Sequence, residues 1–141
     1  MAHATESIEI DCPPDRLLAV ITDFARYPEF LPEIVDAKVI SEEAGVWEVA
    51  FALQIVRRLE YTLRLEQPTP LKVQWSLVEG VFRVNTGSWS LESLDEGSRT
   101  CATYEVETQV GMYVPRSLMK TLVSRSLPDM LGRFKKRAES M

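Results

Sequence analysis

Side chains able to do acid–base, nucleophilic or metal chemistry are few in this 141-residue sequence, and their spacing suits none of these roles well. His3 is the single histidine and falls in a terminus expected to be loose, so a histidine-based triad or a multi-histidine metal site cannot be assembled. Cys12 and Cys101 are the two cysteines. They lack the Cys-x-x-Cys spacing of a metal or redox motif, and free thiols in a reducing compartment are expected. Without a histidine beside it, neither thiol is activated as a nucleophile. Glu60, Glu79, Glu105 and Glu107 remain for acid–base work, yet each lies on a polar strand face or near a turn. The residues therefore predict no catalytic group, no metal site and no cofactor.

Charge narrows the partners. The chain carries 16 Lys and Arg against 21 Asp and Glu, a net charge of −5 that disfavours a general nucleic-acid binder and predicts no DNA partner. The distribution is uneven. From Pro115 onward, Arg116, Lys120, Arg125, Arg133, Lys135, Lys136 and Arg137 face only Asp129 and Glu139, a local net of +5. Cations near a helix C-terminus complement its dipole, which is a sufficient structural reason for them. The same patch could touch an anionic membrane or ribosomal RNA at the periphery.

Those residues need a scaffold, and 141 residues make one domain, 1–141. The start, MAHATESIEIDCPPD, has no basic segment leading into an apolar stretch, and no uninterrupted apolar run of about 18 residues occurs anywhere. A cytoplasmic, soluble protein is expected. Alternation from Thr5 to Ile10 predicts a strand, stopped by Pro13-Pro14, where Pro14 or Asp15 opens a helix. Leu17, Leu18, Ile21 and Phe24 recur at helical spacing, and Tyr27-Pro28-Glu29-Phe30-Leu31-Pro32 interrupts a second short helix. Period two then dominates: Trp47, Val49, Phe51, Leu53 and Ile55; Leu59, Tyr61, Leu63 and Leu65; Val73, Trp75 and Leu77; Trp89 and Leu91; Ala102, Tyr104, Val106 and Val110. From Pro115 to about Glu139 the pattern turns helical through Leu118, Leu122, Met130, Leu131, Phe134 and Ala138, with a kink or break predicted near Pro128.

The plan is α+β: one strand, two short helices, six strands and a long helix, with a curved antiparallel sheet of about seven strands wrapped around that helix. A sheet bent around one helix often leaves a hollow. Here its face is rich in Trp, Phe, Tyr and Leu, which suits an apolar ligand. Gly80 and Gly87 are read as serving loop geometry and close backbone approach, without chemistry.

Two motifs carry a resemblance over nearly the whole chain: Tyr27-Pro28-Glu29-Phe30-Leu31-Pro32, and Leu77-Val78-Glu79-Gly80-Val81-Phe82 followed by Gly87-Ser88-Trp89-Ser90-Leu91. With the element order, they resemble the START-like helix-grip superfamily (SRPBCC). The resemblance is to the branch of coenzyme Q-binding proteins, ribosome-association toxin homologues and polyketide cyclase/dehydrase relatives. It implies a helix-grip fold around an elongated hydrophobic cavity that takes lipids, polyprenyl quinones or polyketides in different members. Aromatic cyclases of the superfamily use a cavity arginine with tyrosine or hydroxyl groups, and Arg64, Tyr61 and Thr62 sit on the strand that would supply them. Alternation argues against that role: with Tyr61, Leu63 and Leu65 inward, Arg64 faces solvent.

The favoured expectation is a non-catalytic binder or carrier of a lipophilic small molecule such as a polyprenyl quinone or other lipid. Phe51, Tyr61, Trp75, Trp89, Tyr104, Met119 and Leu122 are expected to line its cavity, with Tyr27 and Phe30 near the entrance. A polyketide or aromatic cyclase-dehydrase is the alternative, and a ribosome-associating regulator of translation the second.

Overall fold

A computed structural model of the chain describes residues 2–54, 57–110, 115, 117, 120 and 126–140. Strand β1 (Ala2–Ile10) leads into helix α1 (Pro14–Ile21) and a 3-10 turn (Phe24–Glu29). Then follow β2 (Ile34–Glu43), β3 (Val46–Gln54), β4 (Arg58–Thr69), β5 (Lys72–Gly80), β6 (Phe82–Leu94) and β7 (Arg99–Val110). Helix α2 (Leu127–Glu139) comes last among the described elements.

All seven strands form one antiparallel sheet in the order β1-β7-β6-β5-β4-β3-β2. Because β1 and β2 occupy opposite edges, the segment holding α1 and the 3-10 turn must cross from one edge to the other. Register shifts in β2, between β4 and β5 and at the start of β6 bend the sheet. Between β2 and β3, Ala44 (φ 52°) and Gly45 (φ 79°) are both left-handed, the conformation of a two-residue turn matched to strand twist.

Helix α1 opens on Pro14, whose missing N–H would be unpaired in a first turn anyway, and buries Leu17, Val20 and Ile21. Helix α2 buries Leu127, Leu131, Phe134 and Ala138 at three- and four-residue spacing against the same core. Pro128 lies in its first turn, where proline is tolerated. The expected kink depends on what precedes that turn, and residues 121–125 lie outside the described ones, as do Ile55, Leu118, Met119 and Leu122.

One local expectation is corrected, and one local backbone preference is overridden. His3 is not in a loose end: it is paired into β1 opposite Glu107, with its Nε2 3.6 Å from a Glu105 carboxylate oxygen. Tyr27, which precedes Pro28, does not take the extended backbone that position favours. It sits inside the 3-10 turn, where its carbonyl accepts from the N–H groups of Phe30 (3.2 Å) and Leu31 (2.9 Å). Its ring is packed among Phe24, Phe30, Phe51 and Phe134, and this packing with the two hydrogen bonds outweighs a local preference.

Candidate functional site

Between the concave face of the sheet and α2 lies a cavity of about 190 Å³. A single water needs only about 10–15 Å³ on such a measure, so there is room for an organic molecule. The alternation of the strands builds its wall, since every second residue of β3 to β7 points the same way.

The aromatic rings form a continuous chain of contacts from Phe82 to Trp75. Phe82 meets Tyr61 edge to face at 5.1 Å, Tyr61 stacks on Phe51 at 5.6 Å, and Phe51 on Tyr27 at 6.0 Å. Tyr27 meets Phe134 of α2 at 5.4 Å, Phe134 meets Trp89 at 5.0 Å, Trp89 meets Tyr104 at 5.0 Å, and Tyr104 meets Trp75 at 5.3 Å. Such contacts hold the rings in place beyond simple area burial. Of the residues expected around the cavity, Tyr27, Phe51, Tyr61, Trp75, Trp89 and Tyr104 border it. Phe30 stands behind this wall, against Tyr27 and Phe134, with the Arg137 guanidinium 5.1 Å above its ring. Met119 and Leu122 lie outside the described residues.

Few polar groups reach the cavity. Glu33 is the one charged residue among its described walls, and no described Lys, Arg or His borders it. Arg64 is on the other face: its side chain is 53% exposed, and its Nε lies 3.0 Å from Glu66. Glu60 pairs with Arg58 at 3.0 Å on that outer side, while Glu79 and Glu105 are exposed. Cys12 is buried and Cys101 half-buried; both are free, and burial pushes the Cys12 thiol up.

Burial also raises the hydroxyls of Tyr27, Tyr61 and Tyr104, with mutual repulsion among the three as a smaller contribution for Tyr27 and Tyr104. They are neutral hydrogen-bonding groups throughout the physiological range. The Tyr27 hydroxyl donates to the Ile21 carbonyl at the end of α1.

Two further polar side chains escaped the sequence reading, Asn85 on β6 and Thr108 on β7. They are 7% and 6% exposed, lie directly opposite each other in register, and both border the cavity. A signal for them existed. Asn85 is in phase with Gly87, Trp89 and Leu91, and Thr108 fills the gap between Val106 and Val110. Phe82 is out of phase with that series and reaches the cavity because the register shifts by one residue between Phe82 and Val84.

The two glycines sit within paired strands, Gly87 inside β6 and Gly80 at the end of β5. Gly87, inside β6, pairs with Trp75, and a Cβ there would lie 2.3 Å from the indole Cζ2. Gly80 ends β5 at φ +132°, where a Cβ would lie 2.5 Å from Tyr61 Cα. Both let a neighbour come closer than any side chain would allow.

On α2 the basic residues divide. Lys135 pairs with Glu139 at 2.7 Å, and Arg137 with Glu29 at 2.7 Å, whereas Arg133 and Lys136 are exposed. No helix among the described residues is long and apolar enough to cross a membrane.

A seven-stranded antiparallel sheet closed over an aromatic cavity by a C-terminal helix is the START-like helix-grip fold. Solved structures share it over almost the full chain. A START superfamily protein from Mycobacterium smegmatis matches with a TM-score of 0.84 at 16% identity, covering 98% of this chain and 97% of its own. The Zhui aromatase/cyclase from a Streptomyces species matches at 0.83 and 18% identity, covering 98% and 93%. A STAR-related lipid transfer protein from Xanthomonas axonopodis matches at 0.81 and 11% identity, covering 96% and 85%. At these identities the likeness shows the fold alone. No curated protein sequence matches the chain. The family described as polyketide cyclase / dehydrase and lipid transport matches residues 10–135, and the chain belongs to it.

Proposed function

We propose that this protein binds and carries a lipophilic small molecule, of the polyprenyl quinone or other lipid class, without transforming it. The observation that carries the reading is the chain of eight contacting rings that border a cavity whose described walls hold no cation. Neutral hydroxyls and an amide orient a ligand there, and the aromatic faces supply the affinity. The cyclase-dehydrase alternative needs a group that polarises a ketone and moves its protons. Arg64, the arginine considered for that task, is exposed on the convex face. Peripheral contact with an anionic membrane through Arg133 and Lys136 is part of the proposal, and salt should weaken it.

The test is to purify the protein from a quinone-producing host, extract it with organic solvent and identify any stoichiometric lipophile by mass spectrometry. Wild type and Arg64→Ala should retain the molecule. Trp75→Glu should lose it, and because a buried charge can unfold the protein, Val106→Phe serves as the second variant, filling the cavity without charge. An empty wild type that also takes up no quinone when challenged would overturn the reading.

A further inference from the structure

We infer that Asn85 and Thr108 form a subsite for a neutral carbonyl oxygen on a flat lipophilic ligand, which rests on the binding reading above and names the ligand chemistry it implies. The cross-strand register sets the two side chains side by side on the cavity wall. Their hydrogen-bonding capacity is unevenly used. The Trp75 indole Nε1–H donates to Asn85 Oδ1 at 3.1 Å. An indole N–H is a donor only, so the amide atom it meets must be the oxygen, and this fixes the amide orientation.

What is left over on Asn85 is the amide NH2, two donors that reach no hydrogen-bond partner among the described residues. Thr108 Oγ1 is buried and also has no partner among them; Arg16 Nε, on α1, is the one other such side-chain atom. Buried polar atoms are almost always satisfied, and an exception in a cavity wall points to a group that arrives from outside. The hydroxyl hydrogen turns about the Cβ–Oγ1 bond, so it can be aimed at an incoming acceptor.

The donors define the visitor. An amide NH2 can be answered only by an acceptor, and a carbonyl oxygen has two lone pairs, one for Asn85 and one for Thr108. A carboxylate would fit the donors but would be buried in a cavity bordered by no described Lys, Arg or His, which is costly. The acceptor is therefore a neutral ketone or quinone oxygen. Its ring system lies beside Trp75, which is already held by Asn85, and Tyr104. The volume of about 190 Å³ leaves room for such a ring.

A matched pair of probes tests this: 9-fluorenone and fluorene, alike in shape and differing in one carbonyl, measured by equilibrium dialysis. Fluorene is the more apolar, so any preference for the ketone runs against simple partition. Wild type should bind fluorenone about five- to tenfold more tightly, the gain of two modest hydrogen bonds. Thr108→Val should cut that preference by about threefold while leaving fluorene binding intact, and Thr108→Ser should restore it. The valine variant should also melt higher, because it removes an unsatisfied buried hydroxyl. Equal binding of both probes to wild type, or an unchanged preference in Thr108→Val, would overturn the subsite and leave the carrier reading standing. Failure of both probes to bind would overturn the carrier reading and the subsite with it.

Discussion

Gly87 is where one strand must let an indole lie across its backbone. A Cβ there would sit 2.3 Å from Trp75 Cζ2 and 2.4 Å from the Glu105 carbonyl oxygen, which belongs to rigid backbone. The carbonyl cannot yield and the indole must move, so Gly87→Ala should cost about 1–3 kcal/mol by overpacking, measured as a lower urea midpoint. Its second effect is on the site: displacing Trp75 breaks the bond to Asn85 and so loosens the wall that orients a ligand. Residue identity was readable at some of these points and not at others. The outward position of Arg64 follows from alternation with Tyr61, Leu63 and Leu65. Asn85 and Thr108 were equally in phase, but an asparagine and a threonine in a strand carry no hydrophobic signal. Their burial depends on β6 and β7 lying side by side in the sheet.

Among the elements, α2 shows how a helix with a narrow apolar stripe is held. Phe134 enters the chain of rings through Tyr27 and Trp89, while Glu139 Oε2 accepts from the Asp11 N–H (2.8 Å) and Lys135 Nζ (2.7 Å), tying the helix end to the exit of β1. The opposite face is open. Gly132 is exposed, and a Cβ added there would meet nothing within 4 Å. Gly132→Ala should therefore stabilise the protein by about 0.5–1 kcal/mol through helix propensity, read as a raised melting temperature with unchanged ligand uptake. The element order, the strand count and the helical spacing of Leu131, Phe134 and Ala138 were legible because each is a local periodicity. The 3-10 geometry around Tyr27 and the register shift after Phe82 were not, because both are settled by contacts with other elements.

For the whole molecule, the buried hydroxyls make alkaline pH a probe of integrity. Tyr27, Tyr61 and Tyr104 are raised above the ordinary value of 10, chiefly by burial, so the folded state holds their protons more tightly than the unfolded chain does. Their contribution is fully present below pH 10 and is lost as pH rises beyond it. Phenolate absorbance should accordingly show these three silent until the protein unfolds, in one cooperative alkaline step; independent titration near the ordinary value would contradict a closed cavity. Carboxylates act at the other end. Hydrogen bonds from Lys135 and Asp11 hold Glu139 low, and that from Arg137 holds Glu29 low, so their help is present above the ordinary carboxylate range and lost as pH falls through the lowered values. By itself the sequence determined the α+β order, the period-two strands and the aromatic character of one sheet face, since these follow from residue type and spacing along the chain. Tertiary structure alone decided which rings meet, which neighbours Gly80 and Gly87 let approach, that Glu29 pairs with Arg137 from the far end of the chain, and that Asn85 and Thr108 stand together. The physical reason is that periodicity assigns a residue to a face, while bulges and the closure of a helix over a sheet decide what that face encloses.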